Sequence, residues 1–164
     1  MTIPRENLIW GPVANFRTLL ATCPAFRTLV GATTIDGAMA HVYTPILGAT
    51  EIAGARPFAV IDQGTVRDMT RISTSGFSDA GSILFILEAD VADANTAATA
   101  AAREAAHTAF LTVLGEILAE IKARAASADH LRVRGIRMIA APARSDDDGE
   151  GDFYQVAFEI DWGD

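Results

Sequence analysis

The 164-residue chain holds a single cysteine, Cys23. That excludes an internal disulfide and any zinc site built on cysteine thiolates. Its three histidines, His41, His107 and His130, include no His-x-x-x-His pair, so a metal could be held only by residues assembled from distant parts of the chain. There is no Gly-x-x-x-x-Gly-Lys-Ser/Thr phosphate loop and no Gly-x-Gly-x-x-Gly turn. The segment Gly76–Gly81 misses the Gly-x-Ser-x-Gly nucleophile elbow by one residue. It also falls between two expected strands rather than between strand and helix, so Ser78 reads as a turn serine. Positive charge is scarce too: 13 Lys+Arg stand against 21 Asp+Glu, a formal net charge of −8. Such a chain neutralises phosphates poorly, which argues against nucleic-acid binding and against an anionic membrane surface. The longest hydrophobic-looking stretch, 96–126, is interrupted by Arg103, Glu104, His107, Glu116, Glu120 and Lys122. That excludes a membrane span there. The start carries Arg5 and Glu6 with no apolar core of signal-peptide length, so a chain made and kept in a reducing cytosol is expected.

What is present is ample apolar material. Half of the residues are hydrophobic and 21% are charged, the proportions of one ordinary globular domain. A chain of about 150 residues buries roughly 68–70% of its unfolded surface without help from disulfides or metals. The whole chain, 1–164, reads as one domain, with no internal repeat and no separate linker.

The apolar spacing predicts the elements. Leu8, Ile9, Val13, Phe16, Leu19 and Leu20 recur at helical intervals and give a helix over 6–22. Ala25–Val30 gives a further helical turn ending at Gly31. Residues 31–56 read as irregular apart from a short strand at Met39–Tyr43. The stretch Thr44–Arg56, long for a loop, is a candidate contact loop or a plain connection. Strands follow at Phe58–Ile61, Asp68–Thr74 and Ile83–Val91, with Gly76, Asp79 and Gly81 supplying the turn before the last of them. A long helix over 95–126 carries the stripe Ala106, Phe110, Val113, Leu114, Ile117, Leu118 and Ile121, with Asn95 or Asp93 as its N-cap. Leu131 and Val133 open a further strand whose apolar phase switches after Gly135 to Ile136 and Met138, the mark of a bulge. In the final strand Tyr154, Val156, Phe158, Ile160 and Trp162 point one way and Gln155, Glu159 and Asp161 the other. Arg132 and Arg134 are natural cross-strand partners for Glu159 and Asp161. The order predicts an α+β fold: a mostly antiparallel sheet with a long helix and an N-terminal helix packed on one face. The acidic cluster Asp146, Asp147, Asp148, Glu150 and Asp152 lacks the offsets of a calcium loop and reads as a solvated hairpin tip.

This order resembles the tail terminator (tail completion) proteins of long-tailed bacteriophages. The resemblance rests on the N-terminal helical stretch Asn7–Leu29 and the apolar strand opening Pro57-Phe58-Ala59-Val60-Ile61. It rests also on the strand Gly81–Ala89 running into helix 95–126, and on two closing strands ending Phe158-Glu159-Ile160-Asp161-Trp162. It spans nearly the whole chain in order and size and leaves loops 44–56 and 144–152 unplaced. The family has diverged sequences and no signature residues, so this is a likeness of architecture.

The resemblance implies a structural virion protein rather than an enzyme, assembled in the host cytoplasm and located in the tail, with no catalytic residue, cofactor or metal. Such proteins form a homo-oligomeric ring, typically hexameric. The ring stops growth of the tail-tube protein and offers a surface to the head–tail connector protein. DNA meets it only as the genome passing through the lumen, where an acidic lining repels phosphates. A ring of this kind needs two unlike patches per subunit. Candidate contact residues are Thr44, Pro45, Glu51 and Arg56 in the long loop, Asp146, Asp147 and Asp148 at the hairpin tip, and Glu159 and Asp161 on the last strand. The Ala-rich first half of the long helix is a second candidate patch. Two other readings stay open: a small enzyme or ligand-binding domain, in which His107, Glu104 and Ser78 are the first residues to try, and a cytosolic adaptor that dimerises through a sheet edge or the long helix.

Overall fold

The computed structural model describes residues 10–44, 56–71, 77–90, 99–124, 132–147 and 151–163. The chain opens with three helices, α1 (Trp10–Thr22), α2 (Pro24–Leu29) and α3 (Ile35–Met39). Strand β1 (Val42–Tyr43) precedes two long strands, β2 (Phe58–Arg71) and β3 (Phe77–Asp90). Helix α4 (Ala100–Arg124) and the pair β4 (Val133–Asp147) and β5 (Gly151–Gly163) complete it. The five strands form one sheet in the order β1-β2-β3-β5-β4. β1 lies parallel to β2, and every other neighbouring pair is antiparallel. This is the α+β architecture that the apolar spacing predicts.

Alternation decides which face is covered. Ile83, Phe85, Leu87 and Ala89 of β3 and Tyr154, Val156, Phe158, Ile160 and Trp162 of β5 are all buried, on the side where the helices lie. Phe16 of α1 meets Phe85 edge-on at 5.7 Å between ring centroids, and Phe85 stacks on Phe158 at 5.8 Å. The Phe110 ring of α4 stacks on Tyr154 at 5.0 Å. So α1 covers the β2–β3 half of the sheet and α4 the β5 half. The expected stripe on α4 holds: Phe110, Leu114, Ile117 and Ile121 are buried, with Ala106, Val113 and Leu118 half-buried beside them.

Local chemistry sets the helix ends. Pro12 falls in the first turn of α1, where its missing N–H forfeits no intrahelical bond. Cys23, the N-cap of α2, makes no side-chain cap. Glu120 of α4 supplies one from 95 residues away, its Oε2 accepting the Ala25 N–H at 3.1 Å. Gly31 ends that segment at φ +69°, a left-handed conformation that suits glycine.

Several expectations are corrected. Residues 31–41 are not irregular: Thr34 Oγ1 accepts the Gly37 N–H at 3.0 Å and caps α3. Met39 thus ends a helix, and the strand is only Val42–Tyr43. The strand expected at Phe58–Ile61 and the described part of the one expected at Asp68–Thr74 are one element interrupted by a register shift between Gln63 and Arg67, and residues 72–74 lie outside the described residues. Gly64 at that shift packs so closely on Ser82 that a Cβ there would overlap it, which explains why a glycine interrupts the strand. Asp79 and Gly81 lie in β3 opposite Met69 and Arg67 rather than in a turn. Helix α4 has Thr99 as its cap, with Oγ1 accepting the Ala102 N–H at 3.3 Å; Asp93 and Asn95 lie outside the described residues. The final hairpin is longer than expected, since Asp146 pairs with Asp152 and Asp147 with Gly151. Ladder pairing, not a loop, takes most of the acidic cluster. The bulge expected at Gly135 is present as a register shift between Val133 and Gly135.

Cys23 lies fully buried in this core. Burial, reinforced by the nearby Glu120 carboxylate, pushes its thiol up to about 12 from an ordinary 9.0. Above pH 9.0 the unfolded chain loses this proton while the folded chain keeps it. The unfolded state then binds fewer protons, so stability falls as pH rises through that window. Urea unfolding across it will show the native chain losing up to about 1.4 kcal/mol per pH unit relative to Cys23→Ala.

Candidate functional site

The face of the sheet away from the helices has no described element over it. Its rows read straight across the strands: Phe58, Glu88, Gln155 and Ala143; then Val60, Ile86, Ala157 and Ala140; then Asp62, Leu84, Glu159 and Arg137. The first row is closed by polar chemistry. Arg56, just ahead of β2, donates from Nε to Glu88 Oε2 at 3.3 Å, and Gln155 Nε2 donates to Glu88 Oε1 at 2.7 Å. The side chains of Arg56 and Glu88 are only 6% and 12% exposed. Beside them Phe58 is fully buried and meets Tyr43 edge-on at 5.6 Å. Arg56, Glu88 and Gln155 therefore tie the entry of β2 to the two central strands.

The third row is open. Arg137 Nη2 lies 3.2 Å from Glu159 Oε2 and 3.8 Å from Asp161 Oδ2, and the Arg137 side chain is 63% exposed. Arg137, not Arg132 or Arg134, stands opposite Glu159, because the bulge at Gly135 advances the strand by one residue. Between the two charged rows lie Val60, Ile86 and Ala157, half-buried.

The two edges of the sheet differ. On one side β1 pairs only with Ala59 and Val60; among the described residues nothing pairs with the outer side of β2 from Ile61 onward. On the other side, among the described residues, nothing pairs with the outer side of β4, and it exposes Met138 and Ile139 at 48% and 53%. Its later half is blunted by register shifts around Ala140 and by Pro142, which brings no N–H to a ladder.

The candidate contact residues fall into three groups. Glu159 shares the open row with Arg137, and Asp161, opposite Gly135 in the next row on the same face, also lies within 3.8 Å of it. Arg56 is spent on its internal pair with Glu88, and Thr44 is a half-buried residue after β1. Asp146 and Asp147 are placed by their backbone pairing at the end of the last hairpin, while Pro45, Glu51 and Asp148 lie outside the described residues. His107 stands over the Tyr154 ring at 5.3 Å, on the same helix as the exposed Glu104. Ser78 lies in β3 opposite Thr70. Nothing described joins these three into one constellation. Glu88, Gln155 and Arg137 were missed by sequence reasoning. The shift of phase at Gly135 was the available signal for Arg137, since a one-residue advance there sets Arg137 rather than Ile136 opposite Glu159. No group of His, Cys, Asp or Glu among the described residues is arranged to hold a metal, and no described helix is long and apolar enough to cross a membrane.

No protein-family model matches the chain, and no curated protein matches it.

Glu88 carries the charge that lets Arg56 stay buried. Removing one partner of such a pair leaves the other uncompensated, whereas removing both removes the problem. Glu88→Ala is expected to cost about 3–5 kcal/mol in urea unfolding. The double change Arg56→Met with Glu88→Leu is expected to restore most of that loss.

Proposed function

We propose that this chain is a structural ring-former that caps a bacteriophage tail tube and presents a surface to the head-side connector, as the resemblance to tail terminators implies. The observation that carries the reading is the pair of unlike edges on opposite sides of one sheet, β2 beyond Val60 and β4, that no other strand pairs with among the described residues. A two-fold dimer uses one self-complementary patch, while a closed ring of more copies uses two different ones. Two unlike edges supply that kind of pair.

Two further features support it. Polar side chains of the sheet are engaged in structural bonds: Arg56 and Gln155 both donate to Glu88, and Arg137 pairs with Glu159 and Asp161. The uncovered sheet face also carries Asp62, Glu159 and Asp161 against Arg137, within a chain of net charge −8. An acidic face turned toward a lumen repels DNA phosphates and keeps a passing genome from sticking.

The test is electron microscopy of tubes polymerised from the tail-tube protein with this chain added. The proposal predicts a ring at one end of each tube and tubes of restricted length. Bare tubes, with the chain remaining monomeric in their presence by mass photometry, would contradict it.

A further inference from the structure

Helix α4 carries two seams of the same spacing, and the core uses one of them. Phe110, Leu114, Ile117 and Ile121 are buried against the sheet. A second seam runs through Glu104, Thr108, Leu111, Gly115, Leu118 and Lys122. Its steps alternate between four residues and three, the repeat that keeps one seam of a helix facing a partner helix. At ~100° per residue it lies roughly a quarter-turn round α4 from the core seam. Leu118 is half-buried and the other five are exposed, Leu111 at 39%.

The second seam has a definite place in the fold. Glu120 reaches α2 through the Ala25 N–H, and Leu111 and Leu118 lie on the opposite flank of α4. That flank faces away from α1 and α2, toward the side of the sheet where β4 lies. Met138 of β4 pairs with the buried Phe158, so it stands on the helix side of the sheet, and it is 48% exposed. Large apolar side chains are thus exposed on both the helix and the strand of this flank.

Gly115 is the unexpected member of the seam. Glycine inside a helix is less stable than alanine there. A Cβ at 115 would meet nothing within 4 Å in its own chain, so packing within the chain does not require the glycine. It leaves a hole in an exposed seam, four residues from an exposed leucine.

The seam is also its own complement when reversed. In an antiparallel pair centred between Leu111 and Gly115, Leu111 of each copy falls on Gly115 of the other, and Thr108 falls on Leu118. Glu104 then faces Lys122 at both ends. In a parallel pair Glu104 would face Glu104 and Lys122 would face Lys122, which selects against that arrangement.

We propose that two copies of this chain pair through α4, antiparallel about a two-fold axis, with Leu111 seated over Gly115 and Glu104 opposite Lys122. The partner is a second copy, chosen by charge complementarity and by the fit of a large residue to a small one. This pairing goes beyond the ring reading and does not rest on it. It uses the helix layer and leaves both sheet edges as they are. It joins side chains only, so the α4 amides keep the partners they have within the helix.

The experiment measures self-association of the full chain by analytical ultracentrifugation over a wide concentration range, with circular dichroism confirming that each variant folds. Glu104→Lys alone and Lys122→Glu alone each set like charges together at both ends and are expected to lose tenfold or more in association. Both changes in one chain, or an equimolar mixture of the two single variants, restore it. Gly115→Phe fills the hole and is expected to lose tenfold or more while keeping native helix content, because its own chain has room there. As a second measurement, Glu104→Cys combined with Lys122→Cys is oxidised, with the buried Cys23 left in place. A closed covalent dimer is expected, and neither cysteine variant alone gives one. A native chain that stays monomeric at every concentration overturns the proposal, as does native association by the single charge variants. A covalent dimer from Glu104→Cys alone would mark parallel pairing, and a ladder of longer covalent species an open-ended contact; either also overturns it. The ring is judged separately, by whether tail tubes acquire caps.

Discussion

The structure depends on the aromatic column that runs from Phe16 through Phe85 to Phe158. These rings join the first helix to the two central strands with centroid spacings of 5.7 and 5.8 Å, and all three are essentially fully buried. Stacked and edge-on pairs of this kind add specific geometry to the large area that each ring removes from water. With the column in place the sheet has one dry face, and the rest follows. α4 closes the β5 half of that face through Phe110 and Tyr154, and Glu120 reaches across to cap α2. Among the described residues the helices are thereby committed to one side, and the opposite face and the two edges are left without a described element over them.

That division separates structural chemistry from contact chemistry. The Arg56–Glu88–Gln155 cluster lies on the uncovered face yet is nearly closed to water, so it fastens the start of β2. The Arg137–Glu159–Asp161 group lies two rows away with its cation exposed, so it remains able to meet another surface. Exposed pairs contribute little to folding stability. In the proposed ring such a group would supply choice of partner, because like charges facing each other across an interface are costly.

Much of this was legible in the residues, and the misses have physical causes. Alternation along Ile83–Ala89 and Tyr154–Trp162 assigned the dry face correctly, because a half-buried strand has a strict period of two. The stripe from Ala106 to Ile121 did the same for α4. Reading failed where the chain departs from those periods. Gly64 brings β2 close against Ser82 and breaks the alternation there, so one long strand read as two. The bulge at Gly135 was visible as a change of apolar phase, but its consequence, Arg137 facing Glu159, was not carried through. Helix α3 is five residues long and holds too few apolar positions to show a period; only Thr34, three residues before Gly37, marked its start. The candidate contact set was legible in part. Glu159 and Asp161 were found because they alternate with buried residues, whereas the partnership of Arg56 with Glu88 depends on a contact 32 residues apart that spacing does not encode.

The central claim is that this polypeptide acts through the edges its sheet shows to copies of itself. Hydrogen–deuterium exchange on the dilute monomer and on the assembled form tests it most directly, since edge amides that gain a ladder partner slow sharply. The account predicts new protection concentrated in β4 and in β2 beyond Val60, with the amides of α1 and α4 unchanged. Protection that instead appears on the helices, with both edges exchanging as in the monomer, would contradict it.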